Sequence, residues 1–342
     1  MGIWKWISSC LLAASLFGLV GCADTATVET KEKELQEKIA QLEKELALYK
    51  KREEERQKEE KAKEEEEKEP EIPVVQITHP QTNEVIEALI PIEMGYKTED
   101  DQYKKALTNW AKALARGTDS TAGYDQRMIL DKIGENGEII KGRPQVILDE
   151  AELVEAVLQV SETGGKVQLP LYLTESGYTP DEIPTLDEVV VASYTTYFNP
   201  SVEGRTKNIE LSAKAIHNVI LGVGDAFSFN TTVGPSDEAH GYQPAEEINN
   251  GKIVMGIGGG ICQTSSTLYN AIDILDVTYV ELHNHSLEVA YVPKGRDATV
   301  SYGGLDFRFQ NTTGAPLLIT THIENGALTV EIRTSKNKEK QI

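Results

Sequence analysis

The sequence predicts an α+β protein in which an N-terminal signal peptide and a long charged helical or coiled-coil spacer precede two α+β domains. Three observations predict it. An apolar run near the start stops at Leu19-Val20-Gly21-Cys22; residues 31–69 lack Gly and Pro and are dominated by Glu, Lys and Gln; and beyond Pro73 helical spacings interleave with short alternating apolar runs.

Taken in order, Lys5 stands ahead of the apolar run Leu11–Val20, which is short for a membrane span and has the layout of a signal peptide. Its end resembles a bacterial lipobox, which implies cleavage after residue 21 and a diacylglycerol on the Cys22 thiol. An ordinary signal peptide, or an uncleaved helix, is the alternative. With Cys10 removed and Cys22 acylated, Cys262 is the sole free thiol, so no internal disulfide forms. Such a thiol outside the cytoplasm is either a small packed residue or one kept for its reactivity.

Residues 22–73 read as the spacer. Leu35, Ile39, Leu42, Leu46 and Tyr49 recur at four, three, four, three, an a/d seam of two heptads that implies self-association through residues 35–49. From Lys50 to Glu69 the chain is nearly all charged, either a helix held by ion pairs or a solvated tether. As a helix the spacer would reach about 60 Å, ending at Pro70 and Pro73. The formal net charge is −21 and the acid excess persists beyond the spacer, which excludes nucleic acid as a partner.

Residues 74–191 form the first expected domain. Tyr103, Leu107, Trp110 and Leu114 share one face of a helix over Gln102–Leu114. A second helix starts near Asp149, where acids fill the first turn, and Gln145–Leu148 and Val167–Leu173 read as strands. The run Val146-Ile147-Leu148-Asp149-Glu150 through Val167-Gln168-Leu169-Pro170 is similar to a peptidoglycan-binding domain; a purely structural domain is the alternative.

Residues 192–335 form the second, with 336–342 a charged tail. Helices are expected over Lys207–Ile220 and from Cys262. Strands are expected at Val277–Val280, Leu287–Val292, Thr299–Tyr302 and Phe307–Phe309, and Asn325-Gly326 marks a hairpin between Leu317–Ile323 and Leu328–Ile332.

Gly258-Gly259-Gly260-Ile261-Cys262-Gln263-Thr264-Ser265-Ser266 delivers a cysteine to a helix start. Free amides and the positive dipole end there would lower the thiol pKa and could hold an oxyanion. Packing of a small core cysteine is the alternative. His283 and His285 follow in Glu281-Leu282-His283-Asn284-His285-Ser286; two apart on a strand, they would face one cleft as base and orienting group. A metal site using both is the competing idea, but it lacks a third ligand nearby, so no metal or other cofactor is expected. Asp297 and Asp306, flanking Tyr302, are candidates to orient the base.

Residues 192–335 resemble a VanW-type domain. The resemblance rests on Asn199-Pro200, Arg205 with Asn208-Ile209, Phe227-Ser228-Phe229-Asn230, Gly241-Tyr242, the Gly258–Gln263 run, His283-Asn284-His285-Ser286, and Tyr291-Val292-Pro293 through Gly295–Val300. It implies an exported or membrane-attached protein, L,D-transpeptidation of peptidoglycan through Cys262, and His285 as the better base with His283 second. Peptidoglycan stem peptides are then the expected partners, with Gly259, Gly260, Gln263, Ser265, Arg205 and Asn208 as candidate substrate-positioning residues. The lipid on Cys22 would hold the protein at the outer face of the cytoplasmic membrane, reaching into the wall. The alternative is a non-catalytic wall-binding or scaffolding lipoprotein. A direct part in vancomycin resistance follows from the family's name alone.

Overall fold

The computed structural model describes residues 25–66, 72–249 and 251–342. Lys5, the apolar run and the expected lipidation site Cys22 lie outside them. Two units result, residues 1–71 and 72–342.

The first unit is described by α1 (Thr25–Glu66), so residues 50–66 are helix rather than tether. Lys51–Glu55 and Arg56–Glu60 pair at i, i+4 along it. No helix among the described residues is long and apolar enough to cross a membrane.

In the second unit β1 (Val75–Thr78) pairs antiparallel with β2 (Val85–Leu89), and α2 (Asp100–Arg116) follows with Tyr103 and Leu107 buried. Next come β3 (Lys132–Ile133), β4 (Ile139–Ile140), β5 (Gln145–Leu148) and α3 (Glu150–Val160), whose first turn is capped by Asp149 Oδ1 accepting from Glu152 N at 2.9 Å. The single strand expected over 167–173 is two. β6 (Gly165–Gln168) runs parallel to β1, while β7 (Leu171–Thr174) pairs with β5. Pro170, which has no N–H to donate, stands at the break. Helices α2 and α3 close one core over this sheet with Leu107, Leu153, Val157 and Ile77 inside.

The remainder builds β8 (Val189–Tyr197), α4 (Glu203–Ile216), β9 (Val219–Leu221), β10 (Ala226–Ser228), α5 (Phe229–Val233), β11 (Pro244–Asn249), β12 (Lys252–Ile257), α6 (Ile261–Ile272), β13 (Thr278–Glu281), β14 (Arg308–Gln310), β15 (Leu317–Glu324) and β16 (Ala327–Thr334). A six-stranded sheet has the order β4-β3-β9-β15-β16-β8. Asn325 and Gly326 both take positive φ, 52° and 78°, between β15 and β16, as a type I′ turn requires. Helix α4 ends before the expected residue 220, because Asn218 turns left-handed (φ 60°) and Val219–Leu221 leave as a buried strand. Leu287–Val292 and Thr299–Tyr302 form no strand. Side chains hold that region instead, among them Ser265, Asn270 and Asn284 bonding main-chain oxygens of Ala298, Arg296 and Asp297.

Helix α6 packs on this sheet over a second core rich in aromatics, where Phe227 and Phe309 stack at 5.0 Å between centroids and Phe307 lies beside them. Met128 and Leu130, far upstream, enter this second core. Beside them Asp131 O accepts from Ile220 N at 2.9 Å, and Arg127 Nη1 reaches buried Asp306 Oδ2 at 3.0 Å.

Candidate active site

Three glycines set the approach to α6. Gly258 (φ 93°) and Gly260 (φ 113°) need left-handed backbone, and a Cβ on Gly259 would lie 2.6 Å from Glu246 O on β11. Buried Asn208 of α4 clamps this loop. Its amide donates to Gly259 O (2.9 Å) and Gln243 O (2.8 Å), and its carbonyl accepts from Gln243 N (2.7 Å). Gln263 is equally engaged, donating to Thr196 Oγ1 and Tyr197 O, both at 3.0 Å, and accepting from Arg205 at 2.8 Å. Ser265 donates to Ala298 O at 2.6 Å. Asn208, Gln263 and Ser265 therefore fasten the loop and α6 to the frame, while Arg205 keeps further donors and reaches the cavity below.

Cys262 lies in the first turn of α6, half-buried, its thiol donating to Val300 O at 3.3 Å. The expected lowering of its pKa is corrected. Burial pushes the thiol up to about 11, the Glu247 charge pushes the same way, and Arg205 only partly opposes them. Two of the amides expected to favour a thiolate are already bonded, Ile261 N to Gly258 O and Gln263 N to Gly260 O.

His285 is buried, and its Nδ1 lies 2.7 Å from Asp297 Oδ2. The same oxygen accepts from His285 N at 2.6 Å, and Asn284 donates to Oδ1 at 3.1 Å. Burial alone would raise the Asp297 pKa, but these bonds outweigh it and hold the carboxyl below its usual range. The pairing puts the ring proton on Nδ1 and leaves Nε2 as the basic nitrogen. His283 diverges from it, with Nε2 3.1 Å from Glu281 Oε1. The two histidines do not share a cleft, because β13 ends at Glu281 and strand alternation no longer applies. Asp306 is framework too, bonding Ser228 Oγ, Asn230 N and Arg127. Among the described residues no group of three or more His, Cys, Asp or Glu is arranged to hold a metal.

Cys262, His285, Gly259, Gly260, Gln263 and Arg205 all border one cavity of about 980 Å³; His283, Asp297, Ser265 and Asn208 do not. Its other walls come from α5, the β11–β12 hairpin, residues 284–291 and residues 299–302. Arg205 is the one cation among the described residues lining it, against Glu246, Glu247 and Glu288. The Glu247 carboxylate lies across Gly256, where a Cβ would come within 2.3 Å of its Cδ. Sequence reasoning missed this hairpin, although Asn250-Gly251 between apolar runs is its signal. Tyr291, which carries part of the family resemblance but was given no role in the site, sits under the Arg205 guanidinium (5.9 Å to the ring centroid), and burial and the neighbouring Cys262 drive its pKa well up. Nothing in the local pattern distinguishes that tyrosine from a core residue.

A family model described as VanW like protein matches residues 204–333. The protein named Uncharacterized protein YoaR, from Bacillus subtilis (strain 168), is 37% identical over 205 residues, covering 59% of this chain and 68% of that protein. The Vancomycin B-type resistance protein VanW of Enterococcus faecalis (strain ATCC 700802 / V583) is 26% identical over 142 residues, 40% of this chain and 52% of that protein. No solved structure matches.

Proposed function

The chain belongs to the VanW-like family, and on that premise we propose that it is a cell-envelope protein performing cysteine-dependent acyl transfer on peptidoglycan stem peptides, as an L,D-transpeptidase does. The observation that carries this is the cavity joining Cys262 to a histidine held in one tautomer by a buried carboxylate. Nucleophilic catalysis needs such a pair brought within hydrogen-bond reach, a step that substrate binding would complete by taking the thiol from Val300 O. His285 Nε2 takes the Sγ proton as sulfur bonds to the stem carbonyl carbon. The C–N bond breaks, the imidazolium returns the proton to the leaving amine, and a thioester remains. An acceptor amine then attacks, gives its proton to His285, and the imidazolium reprotonates the departing thiolate. Water in place of the amine gives trimming instead of crosslinking.

Charge in the cavity suits both partners. Arg205 offers a carboxylate its guanidinium, and Glu247, with no ion-pair partner among the described residues, offers an acceptor ammonium its carboxylate. The resting thiol is neutral because burial raises its pKa, so proton removal by His285 accompanies its attack on the bound substrate. A lipid on Cys22 and the α1 spacer would place this cavity within the wall, and the segment around α2 and α3 would bind peptidoglycan.

A second reading, a non-catalytic wall-binding scaffold with Cys262 as packing, is favoured by the raised thiol pKa. Incubating the protein with muropeptides separates the two. Crosslinked dimers or trimmed stems that vanish in Cys262→Ala and His285→Ala support catalysis, whereas retained muropeptide binding with an unchanged muropeptide profile in all three proteins supports the scaffold. A direct part in vancomycin resistance has only the Enterococcus relative's name behind it.

A further inference from the structure

We propose that α1 joins two copies of this chain as a parallel, in-register coiled coil, with Leu35, Ile39, Leu42, Leu46 and Tyr49 as its five central layers. All five side chains are at least half exposed on α1, from 50% for Ile39 to 65% for Tyr49. On this spacing Leu35, Leu42 and Tyr49 occupy d positions, and Ile39 and Leu46 occupy a positions. Ile39 at a and Leu35 and Leu42 at d suit a parallel two-stranded coil, while Leu46 at a and Tyr49 at d are neutral to that choice. The a positions one heptad beyond the seam at either end are Glu32 and Glu53, which confine the apolar contact to these layers.

The flanking charges choose partner and direction. In a parallel pair each g residue meets the e residue five positions later on its partner. Here g Lys38 meets e Glu43, and g Glu45 meets e Lys50, so both kinds of contact, each made twice by symmetry, join opposite charges. The ion pairs within α1 are Lys51–Glu55 and Arg56–Glu60 among the described residues, which leaves Lys38, Glu43, Glu45 and Lys50 free for a second chain. In the antiparallel register that also buries the seam, Lys38 would face Glu45, but Glu43 would face uncharged Gln36. A second copy in parallel thus satisfies every charge beside the seam. Five layers are few for a free helix pair, so association is weak in dilute solution and strengthens where chains are concentrated on one surface.

The test uses the full chain in detergent and in membranes, with Cys262→Ser to silence the thiol of the globular unit. Leu42→Cys at the seam is expected to form a disulfide-linked dimer on mild oxidation at least about tenfold faster than Lys44→Cys on the outer face, since an in-register parallel pair sets each residue against itself. Equal rates at both sites, or no dimer at either, would overturn the proposal. Lys38→Glu should lower the dimer fraction by up to about tenfold, and adding Glu43→Lys should restore it. Failure to restore, with the Lys38→Glu loss present, refutes the parallel direction. Because Lys38 and Glu43 stand clear of the seam and keep helix-forming side chains, circular dichroism of the same variants reports whether α1 itself has been lost.

Discussion

The Cys262 thiol is expected to resist alkylation at neutral pH. Its pKa is pushed from an ordinary 9.0 to about 11. At pH 7.5 the thiolate fraction then falls from about 3 in 100 to about 3 in 10,000, a hundredfold loss of the reactive form. Limited access lowers the rate further without moving the titration, so the position of the break in the profile is the quantity that decides. The assay follows iodoacetamide labelling of the Cys262 peptide by mass spectrometry from pH 6 to 11, folded and in urea. The folded rate should climb tenfold per pH unit and level only near 11, while the urea rate levels near the ordinary thiol value. Glu247→Gln removes the negative charge that raises the thiol pKa most and should shift the folded break downward. A folded profile levelling below pH 9 would refute the view that burial governs this thiol, and would favour a thiolate stabilised at rest.

Asp297→Asn should lower muropeptide turnover by about 10²–10⁴-fold, because the amide no longer holds His285 in the Nδ1-protonated form. The same substitution bears on acid stability. The folded Asp297 pKa is depressed, so its contribution is present above the ordinary carboxylate pKa and lost as pH falls through the folded value; urea titrations below about pH 4 should show a shallower fall in stability for the variant than for wild type. Gly259→Ala drives a Cβ to 2.6–2.7 Å from Glu246 O and Ala245 O and should displace the β12–α6 loop, measurable as a lower Tm with loss of turnover. Phe307→Ala, at the centre of the aromatic core, should cost about 3–5 kcal/mol by urea denaturation. Glu247→Gln should raise KM for the amine acceptor more than it lowers kcat, and an unchanged KM would remove Glu247 from acceptor recognition.

Regular elements were legible in the sequence where one local signal dominates. The primed turn at Asn325-Gly326, the helix start near Asp149 with acids in its first turn and the apolar face of α2 each rest on a few neighbouring residues, and the structure has them in place. Legibility failed where tertiary contacts set the outcome. Thr299–Tyr302 alternates as a strand does, yet Val300 serves Cys262 and Thr299 N bonds His283 O, leaving no ladder to join. In the site, Cys262 and His285 stood out because their chemistry is rare in this chain. Asp297, 12 positions beyond His285, was legible as a candidate to orient the base, whereas the desolvation of Cys262 was not, since Val300, which its thiol meets, stands 38 positions away. The carbonyls of Gly258 and Gly260 take two of the helix-start amides before a thiolate could.

Arg127, Met128 and Leu130 belong by sequence to the segment ahead of the matched family region, yet they reach across to Asp306 and the aromatic core. The stretch that the family model matches is therefore shorter than the stretch that folds. Cutting this chain at residue 204, or at 192, would strip two apolar plugs from the half that carries Cys262 and leave the Asp306 carboxylate buried without its counter-ion. Its edge beside β9 would lose its neighbour strand as well. Activity sought on such a fragment would report on a damaged interior, and a negative result there would say nothing about Cys262.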